Sequence, residues 1–166
     1  MKKVAMLQSN YIPWKGVFDL IHRVDVIVFY DDVQYTKKDW RSRNKIPTKN
    51  GELWLTVPVK SKGKFEQLIC DTEIDTSTDW QAKHKKTLTL NYSKAPFFAD
   101  YSDLLDDFYS EHHWVNLSEM NRYMTETIAS VEGSPILSKY SWNVSLAFEG
   151  SQPMARSLSN DSTTAW

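Results

Sequence analysis

Two short polar segments follow the first two predicted strands of the chain, and they carry residue types suited to binding and catalysis. The first runs from Gln8 to Trp14 and supplies side-chain amides, a phenol and an indole. The second runs from Asp31 to Tyr35 and supplies two adjacent carboxylates, an amide and another phenol. Because the carboxyl ends of parallel strands open on one edge of a sheet, we expect both segments to border one cleft there.

The adjacent carboxylates of Asp31 and Asp32 have two interpretations. In the first interpretation, one of them faces the cleft as a general base or metal ligand while its neighbour faces water. Alternatively, both are solvated residues of a turn. We favour a functional role. The preceding strand is apolar throughout and Val33-Gln34 follows, so this position does not call for two acidic residues whose only purpose is to form a turn.

A basic segment that includes two aromatic residues comes directly afterwards. Its cations are Lys37, Lys38, Arg41, Arg43 and Lys45, with Tyr35 and Trp40 close by. On a strand, the alternating Arg41, Arg43 and Lys45 share one face. The planar guanidinium of arginine suits recognition of phosphate or carboxylate, whereas the alternative is a charged edge strand that prevents aggregation. Recognition is favoured because the acidic segment lies next to the basic one.

His84 is spaced from Trp80 and Leu88 so that all three share an apolar helix face. Such a histidine is more often a core residue than a catalytic one, and both interpretations stay open. Neither His22 nor His112-His113 has the spacing of a metal site. The sequence also lacks a phosphate-binding loop, a dinucleotide fingerprint and a serine elbow. We therefore expect no metal and no cofactor.

The elements that position these residues predict an α/β fold. Strands over 4–8 and 25–30 flank a helix that begins near Pro13, which makes a βαβ unit with parallel strands. Strands over 43–48 and 52–59 flank Asn50-Gly51, the strongest short-range signal for a hairpin. A further short strand is predicted over 65–74. The predicted sheet is mixed, starting with the βαβ unit plus the hairpin.

Three C-terminal helices are predicted to follow the sheet. The first carries His84 and begins at a capping box formed by Thr78 and Gln81. The second opens at Pro96, and the third is capped by Asn116 and ends before Gly133. We expect residues 1–138 to form a single domain and residues 139–166, which are rich in Ser and Thr, to form a poorly ordered tail.

The bulk properties of the 166 residues narrow the range of partners. The formal net charge is −1, which argues against electrostatic attraction of the whole protein to nucleic acid or an anionic membrane and leaves a local basic patch as the alternative. We expect neither partner. Cys70 is the only cysteine, so no internal disulfide forms. The apolar run after Met1, Val4–Leu7, is too short for a signal peptide or a spanning helix, so we expect neither. We therefore expect a soluble, cytoplasmic protein, and nothing in the sequence specifies its oligomeric state.

Several ordered motifs of the chain resemble the WbqC-like protein family. They are Gln8–Trp14 with Gly16 and Phe18, Val28–Gln34, Trp40, Arg43-Asn44, Trp54–Val59, Lys83-His84, Tyr92 and Ala95–Phe98. The resemblance covers residues 3–132 of the sequence. It implies a transferase of glycine or another aminoacyl group to amino sugars, encoded in gene clusters for O-antigen and other surface polysaccharides.

Two departures from the family pattern are visible. Ser9 stands where the family usually has proline, and the Ser/Thr-rich end of the chain lacks the family's further C-terminal motifs. We therefore expect a C-terminally shortened or divergent member. A fainter echo of nucleotidyl transferases in Gly16, Phe18, Asp19 and His22 lacks the second histidine of that class.

The resemblance and the residue types together predict the site residues. The expected catalytic residues are Asp32, Asp31 and His84, of which Asp32 or His84 would deprotonate the amine. The expected substrate-binding residues are Gln8, Asn10, Tyr11, Trp14, Gln34, Lys37, Trp40, Arg43 and Asn44. The expected function is acyl or aminoacyl (glycine) transfer to an amino sugar or nucleotide-sugar. The alternative is a non-catalytic nucleotide-sugar-binding module, or a shortened remnant of the enzyme.

Overall fold

The structure, a computed structural model, describes residues 1–131 and 138–140. The elements in chain order are β1 (Val4–Leu7), α1 (Lys15–His22), β2 (Val26–Phe29), β3 (Arg43–Thr48), β4 (Gly51–Thr56), α2 (Trp80–Tyr92), a 3-10 turn (Ala99–Tyr101), α3 (Ser102–Asp106), a π-helical turn (Asp107–Glu111), α4 (Leu117–Val131) and β5 (Ser138–Tyr140). The predicted α/β class, with helices after the strands, is confirmed. Within the described residues, no helix has the length and apolar character needed to span a membrane.

The N-terminal βαβ unit forms as predicted. β1 and β2 pair in parallel, from Val4 opposite Val26 to Leu7 opposite Phe29. β5 pairs in parallel with the other side of β2, so the strand order is β1-β2-β5. The buried residues of α1 pack in one cluster with those of β2. α1 therefore covers one face of this sheet. The carboxyl ends of β1 and β2 therefore open on the same edge.

The hairpin is a sheet of its own, and the prediction of one mixed sheet is corrected in this respect. β3 and β4 pair antiparallel, from Arg43 opposite Thr56 to Thr48 opposite Gly51. Their inward side chains, Ile46 and Leu55, pack into a core formed mainly with the helices. Because that core holds the hairpin by side-chain packing, its strands need no hydrogen bonds to the parallel sheet.

The segment predicted as a strand over 65–74 is irregular, which corrects another expectation. It makes isolated bridges, Gln34 with Leu68 and Val59 with Ile74. Its backbone amides bond mainly to loops, as in Cys70 N–H to the Asp31 carbonyl at 2.9 Å. Among the residues that the structure describes, no strand runs alongside this segment, so it forms no ladder there and instead holds the loop after β2 by backbone hydrogen bonds.

The helices keep the predicted faces but not all of the predicted ends. α2 buries Trp80, His84 and Leu88 as the spacing predicted, but its cap is Asp79, whose carboxylate accepts from the Ala82 amide at 3.2 Å. The predicted capping box is therefore wrong. The second predicted helix is divided into the 3-10 turn, α3 and the π-helical turn. The Asn116 cap of α4 is confirmed by a 3.0 Å bond from the Glu119 amide.

A buried carboxylate joins the loop after β1 to the end of β2 and the start of α4. Asp31 is fully buried, and its Oδ1 accepts a hydrogen bond from the Ser9 amide at 2.8 Å. Its Oδ2 accepts from the Ser118 hydroxyl. A buried carboxylate is costly unless hydrogen bonds satisfy it. The contacts with Ser9 and Ser118 therefore hold the three elements together at this group.

The expected tail over 139–166 lies outside the described residues, apart from positions 139 and 140 in β5. The single domain over residues 1–138 stays a prediction.

Replacing Asp31 by alanine should lower the free energy of unfolding by about 3 kcal/mol, because two buried donors each lose an acceptor at a cost of roughly 1–3 kcal/mol. Urea denaturation followed by circular dichroism measures the loss. Asp32→Ala is the matched control, since Asp32 is exposed and surface substitutions usually change stability by less than about 0.5 kcal/mol. Equal losses in the two variants would contradict a structural role for Asp31.

Candidate functional site

The loop after β1 has a backbone conformation that its residue types disfavour. Ile12 has a φ of 46°, in the left-handed region where a β-branched residue is a genuine outlier. The Asn44 amide on β3 donates to the carbonyls of Tyr11, at 3.3 Å, and of Ile12. The Tyr11 amide donates to the Trp40 carbonyl at 3.0 Å. Conformations of this kind persist only where the surroundings hold them, and they cluster at functional sites.

Arg41 holds two side chains of this loop in one orientation. Its guanidinium donates to Asn10 Oδ1 at 2.6 Å and to the Gln8 side-chain oxygen. The Asp39 carboxylate lies 3.8 Å from the same guanidinium. The Arg41 carbonyl accepts from Asn121 Nδ2 on α4 at 2.8 Å. Because the guanidinium fork is planar and rigid, it fixes how Gln8 and Asn10 are presented.

A cleft of about 330 Å³ lies beside this loop, and we call it the indole cleft. It is lined by Asn10, Tyr11, Pro13, Trp14, Trp40 and Asn44. The side chains of Trp14 and Trp40 are 70% and 49% exposed. Exposed aromatic faces beside a few polar groups are the features of a site for a small ring-bearing ligand.

The Trp14 indole lies against Gly16 in the first turn of α1. A Cβ atom built on residue 16 would lie 2.1 Å from the nearest atom of the Trp14 ring, far inside van der Waals contact. Gly16 therefore leaves the space that the indole occupies at the cleft.

A second cleft, of about 370 Å³, lies between the hairpin and α2, and we call it the hairpin cleft. Its lining residues are Leu53, Trp54, Leu55, Thr56, Pro58, Thr78, Asp79, Trp80, Lys83, His84 and Thr87. His84 is 4% exposed, and its Nδ1 lies 2.8 Å from the Tyr11 hydroxyl. That hydroxyl lies 2.5 Å from the Tyr109 hydroxyl. Tyr11 also borders the indole cleft but is fully buried, so this hydrogen-bonded chain runs inside the protein between a residue of each lining.

His84 is a neutral imidazole with a defined tautomer. Burial lowers its pKa from 6.5 to about 4, and the Lys83 ammonium acts in the same direction. A hydrogen bond to the Thr56 backbone raises the pKa in part, so the ring donates to that carbonyl. Nδ1 is then the acceptor for the Tyr11 hydroxyl. Burial also raises the pKa of Tyr11 well above its ordinary value, so this phenol keeps its proton.

Two tryptophans and two cations lie between the clefts. The ring centroids of Trp40, in the indole cleft, and Trp54, in the hairpin cleft, are 5.5 Å apart. The Arg43 guanidinium carbon is 4.1 Å from the Trp54 ring centroid, and Lys45 Nζ is 5.1 Å from it. These are cation–π contacts. Arg43 and Lys45 of the predicted cationic face therefore pack on an aromatic surface, whereas Arg41 lies before β3 and binds Gln8 and Asn10 instead.

The predicted substrate-binding residues divide between several places. Asn10, Tyr11, Trp14, Trp40 and Asn44 line the indole cleft. Gln8 is held by Arg41 beside that cleft, and Arg43 lies on Trp54. Gln34 and Lys37 instead contact Phe65: the Gln34 amide donates to its carbonyl at 2.7 Å, and Lys37 Nζ lies 5.4 Å from its ring centroid.

The predicted catalytic residues are also separated. Asp31 points into the protein, with both carboxylate oxygens engaged by Ser9 and Ser118, and Asp32 is exposed and lines neither cleft. Adjacent residues at a strand end point in opposite directions, so the two carboxylates do not face one cleft. His84 lines the hairpin cleft.

Several residues that shape the site were not predicted. The sequence presents Arg41 as one cation of the basic segment and gives no sign that it orients Gln8 and Asn10. Ser118 and Asn121 are polar residues placed among the buried apolar positions of α4, a pattern that indicates a buried polar partner. Tyr109 had no usable signal, because it lies in a π-helical turn that breaks the 3.6-residue period.

Across residues 1–131 and 138–140, no three side chains of His, Cys, Asp or Glu lie close enough together to hold a metal ion.

Replacing Gly16 by alanine should displace the Trp14 indole without weakening the fold. The added methyl group occupies the space of the ring, whereas alanine favours a helix over glycine by about 1 kcal/mol. The indole N–H signal of Trp14 in a nitrogen–proton correlation spectrum should shift, with the free energy of unfolding equal or higher. An unmoved indole signal would show that the ring does not rest on Gly16.

Replacing His84 by glutamine should remove part of the pH dependence of stability. The folded-state pKa of about 4 lies below the ordinary 6.5, so the unfolded chain takes up the proton first. Wild-type stability should therefore fall as the pH drops from 6.5 to 4, by about 3 kcal/mol at about 1.36 kcal/mol per unit of pKa difference.

Denaturation curves across that pH range measure how steeply the free energy of unfolding changes with pH in the wild type and in His84→Gln. His113→Gln is the control, because His113 is exposed and its removal should leave the wild-type slope in place. Parallel slopes for the wild type and His84→Gln would contradict a buried neutral His84.

Comparison with known proteins yields two matches. The WbqC-like protein family matches residues 8–151 of the chain. Uncharacterized protein Rv1507c of Mycobacterium tuberculosis (strain ATCC 25618 / H37Rv) is 50% identical over 147 residues, which are 89% of this chain and 63% of that relative. The chain therefore spans less than two thirds of that relative's length. No solved structure matches the chain.

Proposed function

The chain belongs to the WbqC-like protein family, and on that premise we propose that it is a transferase that attaches an acyl or aminoacyl (glycine) group to the amino group of a sugar or nucleotide-sugar. The reaction takes place in the cytoplasm, as a step in the synthesis of O-antigen or a related surface polysaccharide. The observation that carries the proposal is the indole cleft, where two exposed tryptophans flank a strained loop that presents side-chain amides.

The indole cleft binds the sugar or nucleotide-sugar in this proposal. Trp14 and Trp40 offer flat apolar surfaces for the sugar or base ring. Asn10 uses its side-chain oxygen to accept from Arg41, which leaves its NH₂ group to donate to a ligand hydroxyl or phosphate oxygen. Asn44 donates to the Tyr11 and Ile12 carbonyls and accepts from the Lys45 amide, so its role is to position the loop.

The transfer step needs a proton acceptor near the amine. The ammonium first gives up one proton. The amine nitrogen then forms a bond to the acyl carbon, the bond from that carbon to its leaving group breaks, and the second nitrogen proton departs with the leaving group. The Tyr11–His84 pair accepts the first proton. Because Tyr11 is fully buried, its hydroxyl meets the amine only when substrate binding opens the loop, and it then takes up the proton as its own passes to Nδ1 of His84, 2.8 Å away. Asp32 lines neither cleft and Asp31 is enclosed, so we assign the base to His84 and a positioning role to Asp31.

A non-catalytic module that holds a nucleotide-sugar is the second candidate function. One observation favours it: Tyr11 and His84 already make hydrogen bonds inside the protein, to each other, to Tyr109 and to the Thr56 backbone.

UDP-glucosamine should raise the melting temperature of the protein, because a ligand that binds the folded state stabilises it. Trp14→Ala should weaken the binding about tenfold, equivalent to about 1.4 kcal/mol, because the ring loses one aromatic surface. Phe65→Ala is the matched control, since Phe65 is 75% exposed and does not line the indole cleft. Thermal shift and titration calorimetry measure both effects. If no sugar nucleotide stabilises the wild type, the cleft is not a sugar site.

Incubation with UDP-glucosamine and either an acetyl thioester or acetyl phosphate separates the two candidate functions. Mass spectrometry should show the sugar nucleotide gaining one acetyl group with the wild type, whereas UDP-N-acetylglucosamine, whose amine is blocked, should gain none. His84→Gln should keep the thermal shift and lose the transfer. Binding without any transfer by the wild type would favour the non-catalytic module.

A further inference from the structure

The hairpin cleft contains a cation that no other part of the described structure neutralises. Lys83 lines this cleft, and within the described residues no carboxylate lies within ion-pair distance of its ammonium, unlike that of Lys85 on the same helix, which pairs with Asp106. Asp79 also lines the cleft, but its carboxylate accepts from the Ala82 amide as the cap of α2. The cleft therefore has an available positive charge at its edge.

The other walls of the hairpin cleft suit a ligand that is larger than a simple ion. Trp54 is 39% exposed and provides an apolar wall, with Arg43 and Lys45 against its ring. Thr56, Thr78 and Thr87 add polar groups around the opening. With about 370 Å³ of space, the cleft accommodates an anionic group together with an attached organic part.

The position of this cleft relative to the indole cleft gives it a role. Trp40 of the indole cleft lies 5.5 Å from Trp54 of the hairpin cleft, measured between ring centroids, and the buried Tyr11–His84 hydrogen bond joins one residue of each lining. A transfer reaction has two substrates, and the indole cleft accounts for the acceptor sugar alone. The proton acceptor assigned above, His84, lies in the hairpin cleft, where the second substrate would have to react.

We propose that the hairpin cleft is the donor site and binds an activated acyl group carried on a phosphate, with Lys83 as the partner of the phosphate oxygens; this rests on the proposed function. In the reaction the sugar amine attacks the acyl carbon and forms the carbon–nitrogen bond. The bond from that carbon to the phosphate oxygen breaks, and the phosphate leaves with the electron pair, held by Lys83. Before the attack the ammonium gives one proton to His84 through Tyr11, and the second nitrogen proton, released as the amide forms, leaves on the phosphate. An acyl phosphate and an acyl adenylate share this chemistry.

Titration of the 166-residue chain at constant neutral pH tests the site with two probes, inorganic phosphate and AMP, and no sugar. The ring nitrogen signals of His84, followed by NMR in protein labelled at histidine, should shift with saturation. Lys83→Met should weaken this binding at least tenfold, because it removes the charge and keeps the chain length. Lys86→Met is the matched control: it removes the same charge from the same helix, but Lys86 does not line the cleft.

The outcomes separate the possible donors and the two proposals. Tighter binding of AMP than of phosphate supports an acyl adenylate, and equal binding supports an acyl phosphate. If His84 does not respond to either probe, or if Lys83→Met and Lys86→Met weaken binding equally, the donor site is wrong. UDP-glucosamine binding that is weakened in Trp14→Ala would still stand in that case, so the proposed function would survive.

Discussion

The Asp31 carboxylate accepts hydrogen bonds from the Ser9 backbone and the Ser118 hydroxyl, so the loop after β1, the end of β2 and the start of α4 meet at one buried group. Leaving such a group unsatisfied in the interior is costly, which opposes separation of the three elements. The loop after β1 is held at its start by this contact. The disfavoured backbone at Ile12 is tolerated because its surroundings are held from both sides.

Asn121 extends the same buried polar cluster to the basic segment. Its side chain donates to the Arg41 carbonyl at 2.8 Å and contacts the Ser9 hydroxyl at 3.4 Å. Arg41 then orients Gln8 and Asn10. Helix α4 therefore shapes a cleft that it does not line. Polar clusters of this kind specify one arrangement strongly, because a partly satisfied network is unfavourable in the interior.

The two clefts divide the chemistry between exposed and buried groups. The indoles at the indole cleft are exposed and suit a ligand surface, whereas Tyr11, His84 and Tyr109 form an enclosed hydrogen-bonded chain. Burial lowers the pKa of His84 and raises that of Tyr11, so both are neutral in the ligand-free protein. An anion beside Lys83 would favour the protonated imidazole, which links the occupancy of the second cleft to the basicity of His84.

Local patterns in the sequence were enough to predict much of the fold. The βαβ unit, the hairpin at Asn50-Gly51, the buried face of α2 that carries His84, and the Asn116 cap all follow from periodicity or turn chemistry between residues close in the chain. The polar loop that includes Trp14, and its place at the carboxyl edge of the sheet, follow from the same reasoning. These features depend on interactions within a few residues, which a single sequence displays directly.

Only the tertiary structure decided which polar side chains share a cleft. Asp31 and Asp32 are neighbours of the same type, and the inward direction of Asp31 depends on Ser118, which lies 87 positions away. Gln34 and Lys37 face Phe65, and Tyr109 completes the chain to His84 from a π-helical turn. A local pattern determines which residues share a face, but the direction of a polar side chain is determined by the partner that satisfies it, and here those partners come from distant parts of the chain.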